Sequence, residues 1–169
     1  LAFRAKFWNI GAEGQLLMGA IFATWTGLTF GEALPPYIIV PLIFLAGFIG
    51  GGLWGAIPAI LKIKYSINEV ISTLMLNYIC AEILTMLIVG PWKGKTRFGF
   101  PGTNNLPDSA ILGLIPGSRI HYATLILAIL CAIVLSVIIY KTRFGYEARV
   151  VGENPDACKY AGINFLKKG

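Results

Sequence analysis

Polar side chains at the edge of long apolar runs, or inside them, are the residues of this sequence best suited to chemistry. Asn9, Glu13 and Gln15 stand directly before the first apolar run, and Asn77 lies within the third. Amide and carboxylate groups can act in acid–base catalysis or can hydrogen-bond a polar solute. A polar group at membrane depth is costly unless it faces protein or water. For Asn77 two interpretations stay open, an interhelical hydrogen bond and the lining of a pathway.

An intramembrane enzyme would have to use Glu13, Glu82 or His121 as its acid or base. The sequence has neither a nucleophile elbow nor a His-Glu-x-x-His pair to accompany them, so we predict no catalytic residue. The three cysteines stand singly, two of them inside apolar runs, which argues against a disulfide framework and against a metal site.

Gly50, Gly52 and Gly55 fit the G-x-G-x-x-G pattern of dinucleotide-binding proteins. That pattern binds a cofactor only where it follows a strand and opens a helix. Here it lies inside an apolar run of membrane length with no strand before it. We therefore expect no cofactor on this chain.

Composition indicates a membrane protein. Of 169 residues, 56% are hydrophobic and 13% are charged, and the mean hydropathy is +0.72. This is the reverse of a disordered composition and is too apolar for an ordinary soluble domain. The net charge of +6 is explained by Lys and Arg flanking the apolar runs, and no basic and aromatic module points to nucleic acid.

Apolar runs long enough to cross a bilayer occur four times, and continuous apolarity favours helices over barrel strands. We predict an all-α, polytopic transmembrane helix bundle with one further short cytoplasmic helix. Pro41 is placed in the first turn of the second span, and Pro58 is expected to kink or unwind its end. The predicted spans are 14–33, 41–61, 69–90 and 119–140.

Small residues recur at four-residue steps on the first two spans and form one smooth face on each. Such faces allow close helix approach in lipid, so we expect both spans to be bundle helices. The two rows are Gly19, Ala23 and Gly27, and Gly47, Gly51 and Gly55.

Lys and Arg in short flanking segments tend to stay cytoplasmic. With four crossings, the N-terminal flank, the second loop and the C-terminal tail share one side and carry most of these residues, so the tail is predicted to be cytoplasmic. They are Arg4, Lys6, Lys62, Lys64, Lys141, Arg143, Arg149, Lys159, Lys167 and Lys168, against Lys93, Lys95, Arg97 and Arg119 on the other side.

The tail contains the markers of a two-turn helix. Asn154 suits the N-cap, Pro155 the first helical position and Gly162 a left-handed stop. A helix this short is marginal in water alone. We therefore expect it to dock in a protein groove, the alternative being an amphipathic segment on lipid headgroups.

The segment from Asn9 to Gln15 holds two glycines, Gly11 and Gly14, at the start of an apolar run. Glycines permit non-helical backbone. A discontinuous helix of this kind lines the solute site of many transporters. The alternative is an ordinary interfacial cap.

Three segments together resemble the permease subunits of bacterial ATP-binding-cassette importers for simple sugars and nucleosides, in particular the guanosine-type permeases of the branched-chain amino acid/ribose permease superfamily. They are Asn9-Ile-Gly-Ala-Glu-Gly-Gln15, Asn68-Glu-Val-Ile-Ser-Thr-Leu-Met-Leu-Asn-Tyr78, and Arg149-Val-Val-Gly-Glu-Asn-Pro-Asp-Ala157 with Tyr160-Ala-Gly-Ile163. The resemblance spans nearly the whole chain, which would form about half of such a permease.

The resemblance implies a transport subunit of the bacterial inner membrane, without chemistry of its own, that imports nucleosides or simple sugars by alternating access. A separate ATPase subunit would use ATP, an extracytoplasmic solute-binding lipoprotein would deliver solute, and a second related permease would complete the pore. A passive channel or facilitator is the alternative. Segment 149–163 would be the coupling element in the ATPase cleft, through Arg149, Gly152, Glu153, Asn154, Pro155, Ala157, Tyr160 and Gly162.

For a nucleoside, recognition would need aromatic faces for the base and polar partners for its edges and hydroxyls. The aromatic candidates are Trp25, Trp54 and Tyr78. The polar candidates are Asn9, Glu13, Gln15 and Asn77.

Overall fold

The computed structural model describes residues 8–94, 102–117, 121–143, 145–146 and 150. In this part of the chain the regular structure is helical: α1 is Ala12–Phe30, α2 is Pro36–Tyr65, α3 is Glu69–Val89 and α4 is Tyr122–Lys141, with a 3₁₀ turn at Asp108–Ala110. All eight residues predicted to couple to an ATPase lie outside the described residues, so that prediction stays open.

The second helix begins earlier than expected. Pro35 takes the N-cap position with extended backbone, and Pro36 occupies the first helical position, where a missing N–H costs nothing. Pro41, expected in the first turn, lies inside the helix instead. Pro58 is buried and also internal, and the helix continues past it to Tyr65 rather than unwinding there.

The end of α2 is a left-handed stop made by serine. Ser66 has φ 54° and ψ 28°, and its N–H donates to the carbonyl of Lys62, while the Ile67 N–H donates to the carbonyl of Leu61 at 3.4 Å. These bonds satisfy carbonyls that a helix end leaves open. An ion pair joins Lys62 Nζ to Glu69 Oε1 at 2.5 Å and connects α2 to the first turn of α3.

Helix α3 begins where the sequence carries a cap. The Oδ1 atom of Asn68 accepts a hydrogen bond from the Val70 N–H at 2.9 Å, and Glu69 places a carboxylate near the positive end of the helix dipole. Helix α4 starts at Tyr122 rather than near residue 119, because His121 is extended and forms an isolated bridge with Leu114.

Three of the described helices are long and apolar enough to cross a membrane by length and composition: α2, α3 and α4. Helix α2 is about 45 Å long at 1.5 Å per residue, so it exceeds a hydrocarbon core of about 30 Å. Helix α1, the first of the four predicted spans, is not among the three. Its hydropathy is lowered by Glu13, Gln15, glycines and threonines. Its position as a span stays a prediction.

The small-residue faces of α1 and α2, each predicted to be a packing surface, meet each other in the structure. A Cβ atom added to Gly19 would lie 2.9 Å from the carbonyl oxygen of Gly47, and one added to Gly51 would lie 2.9 Å from the carbonyl oxygen of Gln15. Real Cβ contacts are not this short. The two backbones therefore approach as closely as glycine permits, which is how helices associate in lipid without a hydrophobic driving force.

The interior of this helical unit is small and apolar. Met18, Ile21 and Cys80 are buried together between α1 and α3, with Trp54 and Trp92 among the side chains packed against them. At the far end of α1, the Ser109 hydroxyl donates to the Gly31 carbonyl, and the Leu106 side chain lies over Gly27. The segment around the 3₁₀ turn thus covers the C-terminal end of α1.

The chain divides into two compact units. One is Asn9–Leu112, which holds α1 to α3 and the 3₁₀ turn, and the other comprises Leu1–Trp8 and Gly113–Gly169 and holds α4. None of the residues of α4 is buried, and its side chains are apolar around its whole circumference. A helix of that kind is suited to lipid or to a large apolar interface.

Candidate functional site

The first turn of α1 has no capping side chain of its own, because glycine occupies its N-cap position. The cap comes from α3. Asn77 Oδ1 accepts a hydrogen bond from the Gly14 N–H at 2.8 Å, and Asn77 Nδ2 donates to the Ile10 carbonyl at 3.1 Å. Asn9 Oδ1 accepts a further bond from the Gly11 N–H at 2.8 Å. Of the two interpretations of Asn77, the structure therefore shows the interhelical hydrogen bond.

Glycine is required at positions 11 and 14 because side chains of α2 and α3 lie too close to the backbone there for a Cβ atom. A Cβ atom on Gly14 would lie 2.7 Å from Asn77 Oδ1 and 3.2 Å from Trp54 Nε1, and one on Gly11 would lie 2.9 Å from Thr73 Cβ. The expected discontinuous helix is not found at Gly14, which is helical, so its lack of a side chain serves packing rather than unusual backbone. Non-helical backbone in the described part of this segment ends at Gly11.

Helix α2 is the third helix that contacts the start of α1, after α1 itself and α3. The Gln15 side chain lies against Gly55, where an added Cβ would be 3.0 Å from Gln15 Nε2. One residue earlier in α2, the indole Nε1 of Trp54 is buried and has no hydrogen-bond partner among the described residues. We call Asn9, Gly14, Gln15, Trp54 and Asn77 the α1 N-terminal cluster.

The chemistry of the cluster is polar and uncharged. It combines amide donors and acceptors, one indole N–H and the positive end of the α1 dipole, with neither a basic nor an acidic side chain among its five members. Among the residues that the structure describes, no three His, Cys, Asp or Glu side chains come close enough to hold a metal ion. Such a set suits hydrogen bonding to a neutral polar molecule rather than catalysis.

Four of the seven residues predicted for a solute pathway meet in this cluster, and three do not. Glu13 is exposed in the first turn of α1. Trp25 is 52% exposed and packs edge-on against Phe30 near the other end of α1. Tyr78 is 65% exposed on α3.

Glu82 is exposed on α3, whereas Asn77 faces α1, because residues five apart in sequence project from different faces of a helix. The pathway role of all these residues stays a prediction.

Sequence reasoning missed the importance of Thr73. Its side chain is 1% exposed, it lies directly under Gly11, and its hydroxyl donates back to the Glu69 carbonyl at 2.7 Å. Thr73 lies in the segment from Asn68 to Tyr78 that supported the family resemblance. A hydroxyl satisfied by its own helix can sit in an apolar contact at little cost.

Membrane-length helices packed through a tight glycine interface define the class of polytopic membrane proteins. Residues 1–167 match the family described as the branched-chain amino acid transport system / permease component, and the chain belongs to that family. Members of this class are transport subunits rather than enzymes, which agrees with the lack of a catalytic motif.

Relatives with known names are permeases as well. The chain is 38% identical to a guanosine ABC transporter permease of Bacillus subtilis, over 98% of this chain and 47% of the relative. It is 37% identical to a glucose ABC transporter permease of Haloferax volcanii, over 97% and 45%, and 31% identical to a nucleoside ABC transporter permease of Lactococcus lactis, over 97% and 47%. The chain thus spans about half the length of these relatives. No solved structure matches it.

Proposed function

We propose that this chain is part of a membrane-spanning permease subunit in an ATP-driven importer of nucleosides or simple sugars. The observation that carries the proposal is the family match over residues 1–167, together with relatives named for guanosine, nucleosides and glucose. These solutes are neutral and rich in hydroxyl groups. The α1 N-terminal cluster has the matching chemistry, because it offers hydrogen bonds without a formal charge.

The proposed solute pathway uses the cluster together with the three exposed residues Glu13, Trp25 and Tyr78. The cluster would bind hydroxyl groups or base edges, and the exposed aromatic rings would stack on a base once the remainder of the permease surrounds them. Alternating access would open this region to one side of the membrane at a time. The pathway residues are Asn9, Glu13, Gln15, Trp25, Trp54, Asn77 and Tyr78.

Partners follow from the class of importer. An ATPase subunit would bind segment 149–163 on the cytoplasmic side of the bacterial inner membrane, a solute-binding lipoprotein would deliver solute from the other side, and a second related permease would complete the pore. The support for the coupling segment is sequence alone: Asn154 and Pro155 favour a helix start, and Gly162 favours its stop.

Uptake competition tests the substrate class. Cells carrying the complete transport system would be given radiolabelled guanosine, ribose or glucose in parallel assays, each with an excess of unlabelled adenosine, cytidine, ribose or glucose. Competition by nucleosides supports the nucleoside branch, and competition by ribose or glucose alone assigns the sugar branch. A system that takes up none of these solutes contradicts the proposal.

Substitutions in the coupling segment separate an ATP-driven importer from a passive facilitator. Ala157→Arg and Gly162→Arg would abolish uptake by an importer while binding of the solute-binding protein persists. A facilitator would keep its flux with either substitution. Lys168→Ala, which lies beyond the segment, is the matched control and should leave uptake unchanged.

A further inference from the structure

The Trp54 ring is packed against apolar side chains, whereas its N–H group is buried without a hydrogen-bond partner. The ring packs against the apolar cluster of Met18, Ile21 and Cys80. The Nε1 atom is shielded from solvent and finds no acceptor in the described part of the chain. Buried N–H groups in native proteins almost always have a partner, so an orphan calls for an explanation.

The neighbouring Asn77 Oδ1 atom, which can accept two hydrogen bonds, accepts one from a different donor, the Gly14 N–H. The ideal Cβ position of Gly14 lies 3.2 Å from Trp54 Nε1 and 2.7 Å from Asn77 Oδ1, so all three groups meet at one point. Asn77 Oδ1 accepts the Gly14 N–H, and Asn77 Nδ2 is itself a donor. No described group accepts a hydrogen bond from the Trp54 N–H, so the group missing beside it is an acceptor.

The missing acceptor is an uncharged oxygen. The cluster contains no Lys or Arg side chain to neutralise an anion, and Glu13 already places a carboxylate in the first turn of α1. A hydroxyl or carbonyl oxygen accepts a hydrogen bond from indole without needing a counter-charge. Stacking by Trp54, the role assigned to it from the sequence, is less suited to a ring that packs in the apolar core.

We propose that the Trp54 indole N–H donates a hydrogen bond to a sugar hydroxyl oxygen of the imported solute. The inference rests on the proposed importer function and names a specific contact within it. In the present state the first turn of α1 closes over this donor, held by the amide of Asn77. When alternating access moves that turn away, the Trp54 N–H contacts the solute. The hydrogen bond then removes the free-energy cost of a buried, unpaired N–H group.

The test compares two indole-to-phenyl substitutions in the complete importer. Trp54→Phe removes the N–H and keeps an aromatic ring, and Trp92→Phe is the matched control because Trp92 packs against the same apolar cluster. Uptake of guanosine and of 2′-deoxy-, 3′-deoxy- and 5′-deoxyguanosine would be measured for each variant. We expect Trp54→Phe to raise the KM for guanosine about three- to tenfold, the value of one hydrogen bond.

One deoxy analogue should identify the bonded oxygen. That analogue should show the raised KM already with the wild-type protein and should not respond further to Trp54→Phe. Trp54→Phe leaves a smaller ring in the apolar cluster but removes an orphaned donor, so its level in the membrane and its thermal stability should fall less than those of Trp92→Phe, which makes the same change of ring. Should Trp54→Phe fold poorly, the isosteric residue benzothienylalanine at position 54 removes the N–H with the same ring shape.

Two results would overturn the inference. An unchanged KM for guanosine would show that the N–H does not contact the solute, and an equal rise for guanosine and all three analogues would show a packing effect only. If the wild-type system imports glucose instead, the deoxyglucose series replaces the guanosine series. A wild-type system that imports neither nucleosides nor sugars would contradict the proposed function itself, a result distinct from these two.

Discussion

Asn77 in α3 caps a helix to which it does not belong, because its Oδ1 atom accepts the Gly14 N–H of α1 at 2.8 Å. An N-cap side chain ordinarily lies at the start of its own helix and satisfies one of four open N–H groups there. Glycine at the N-cap, position 11, has no side chain for that role, and the amide of Asn77, 63 residues beyond Gly14, fills it. The start of α1 is thereby tied to α3.

Asn77→Ala should destabilise the protein by about 1–3 kcal/mol, because it leaves the Gly14 N–H buried without an acceptor and removes the bond to Ile10. Thermal unfolding in detergent would measure this. Thr85→Ala is the matched control on α3, since its hydroxyl bonds only to the Ala81 carbonyl within the helix. Equal effects of the two substitutions would contradict the tertiary cap.

Adjacent glycines of α2 should respond oppositely to alanine. Gly51→Ala forces a Cβ to within 2.9 Å of the Gln15 carbonyl oxygen and should destabilise by roughly 1–3 kcal/mol. Gly52→Ala meets nothing within 4 Å and should be neutral or stabilising by up to about 1 kcal/mol. Unfolding of the two variants in the same detergent checks the pair, and the reverse order would show that α1 does not lie on this face.

Ser66→Gly should stabilise the protein by about 1 kcal/mol. Ser66 is the one described non-glycine residue with positive φ, and a side chain in that conformation is strained. Ser66→Ala keeps the strain and should change the unfolding temperature little. If glycine and alanine behave alike in thermal unfolding, the left-handed stop is not formed in solution.

Ser66 and Asp108 should react from opposite sides of the membrane. Ser66 follows α2 at the end where α1 begins, whereas the turn holding Asp108 covers the C-terminal end of α1. In a background with the native cysteines replaced by alanine, Asp108→Cys should react with a membrane-impermeant maleimide in whole cells. Ser66→Cys should react only after the cells are opened. Labelling of both sites in intact cells would contradict the predicted topology.

Glu13→Gln should weaken solute uptake without lowering the amount of protein in the membrane. Glu13 is exposed in the first turn of α1, beside the cluster proposed to bind solute, and the substitution keeps its size. Uptake kinetics and immunoblotting of membranes give the two readouts. Unchanged kinetics would remove Glu13 from the pathway.

The sequence by itself determined the helical class, three of the four predicted membrane-length spans and the packing face on each of α1 and α2, but not that these two faces pair. Long apolar runs leave a backbone in lipid little choice but helix, and small residues at four-residue steps define one face whatever the partner. The cap at Asn68 was not predicted, although Asn directly before an acidic first turn is a local signal for one. The start of α2 was misplaced because Pro36 and Pro41 both fit a first turn by composition, and only the backbone distinguishes them.

Only the tertiary structure decided what the polar residues do. Spacing along the chain could not show that Asn77 reaches Gly14, since a contact across 63 residues depends on how three helices converge. Nor could it show that the ring of Trp54 is used in packing while its N–H is left unpaired. A side chain's type sets which bonds it can make, but the neighbours that folding places around it decide which of those bonds remain available.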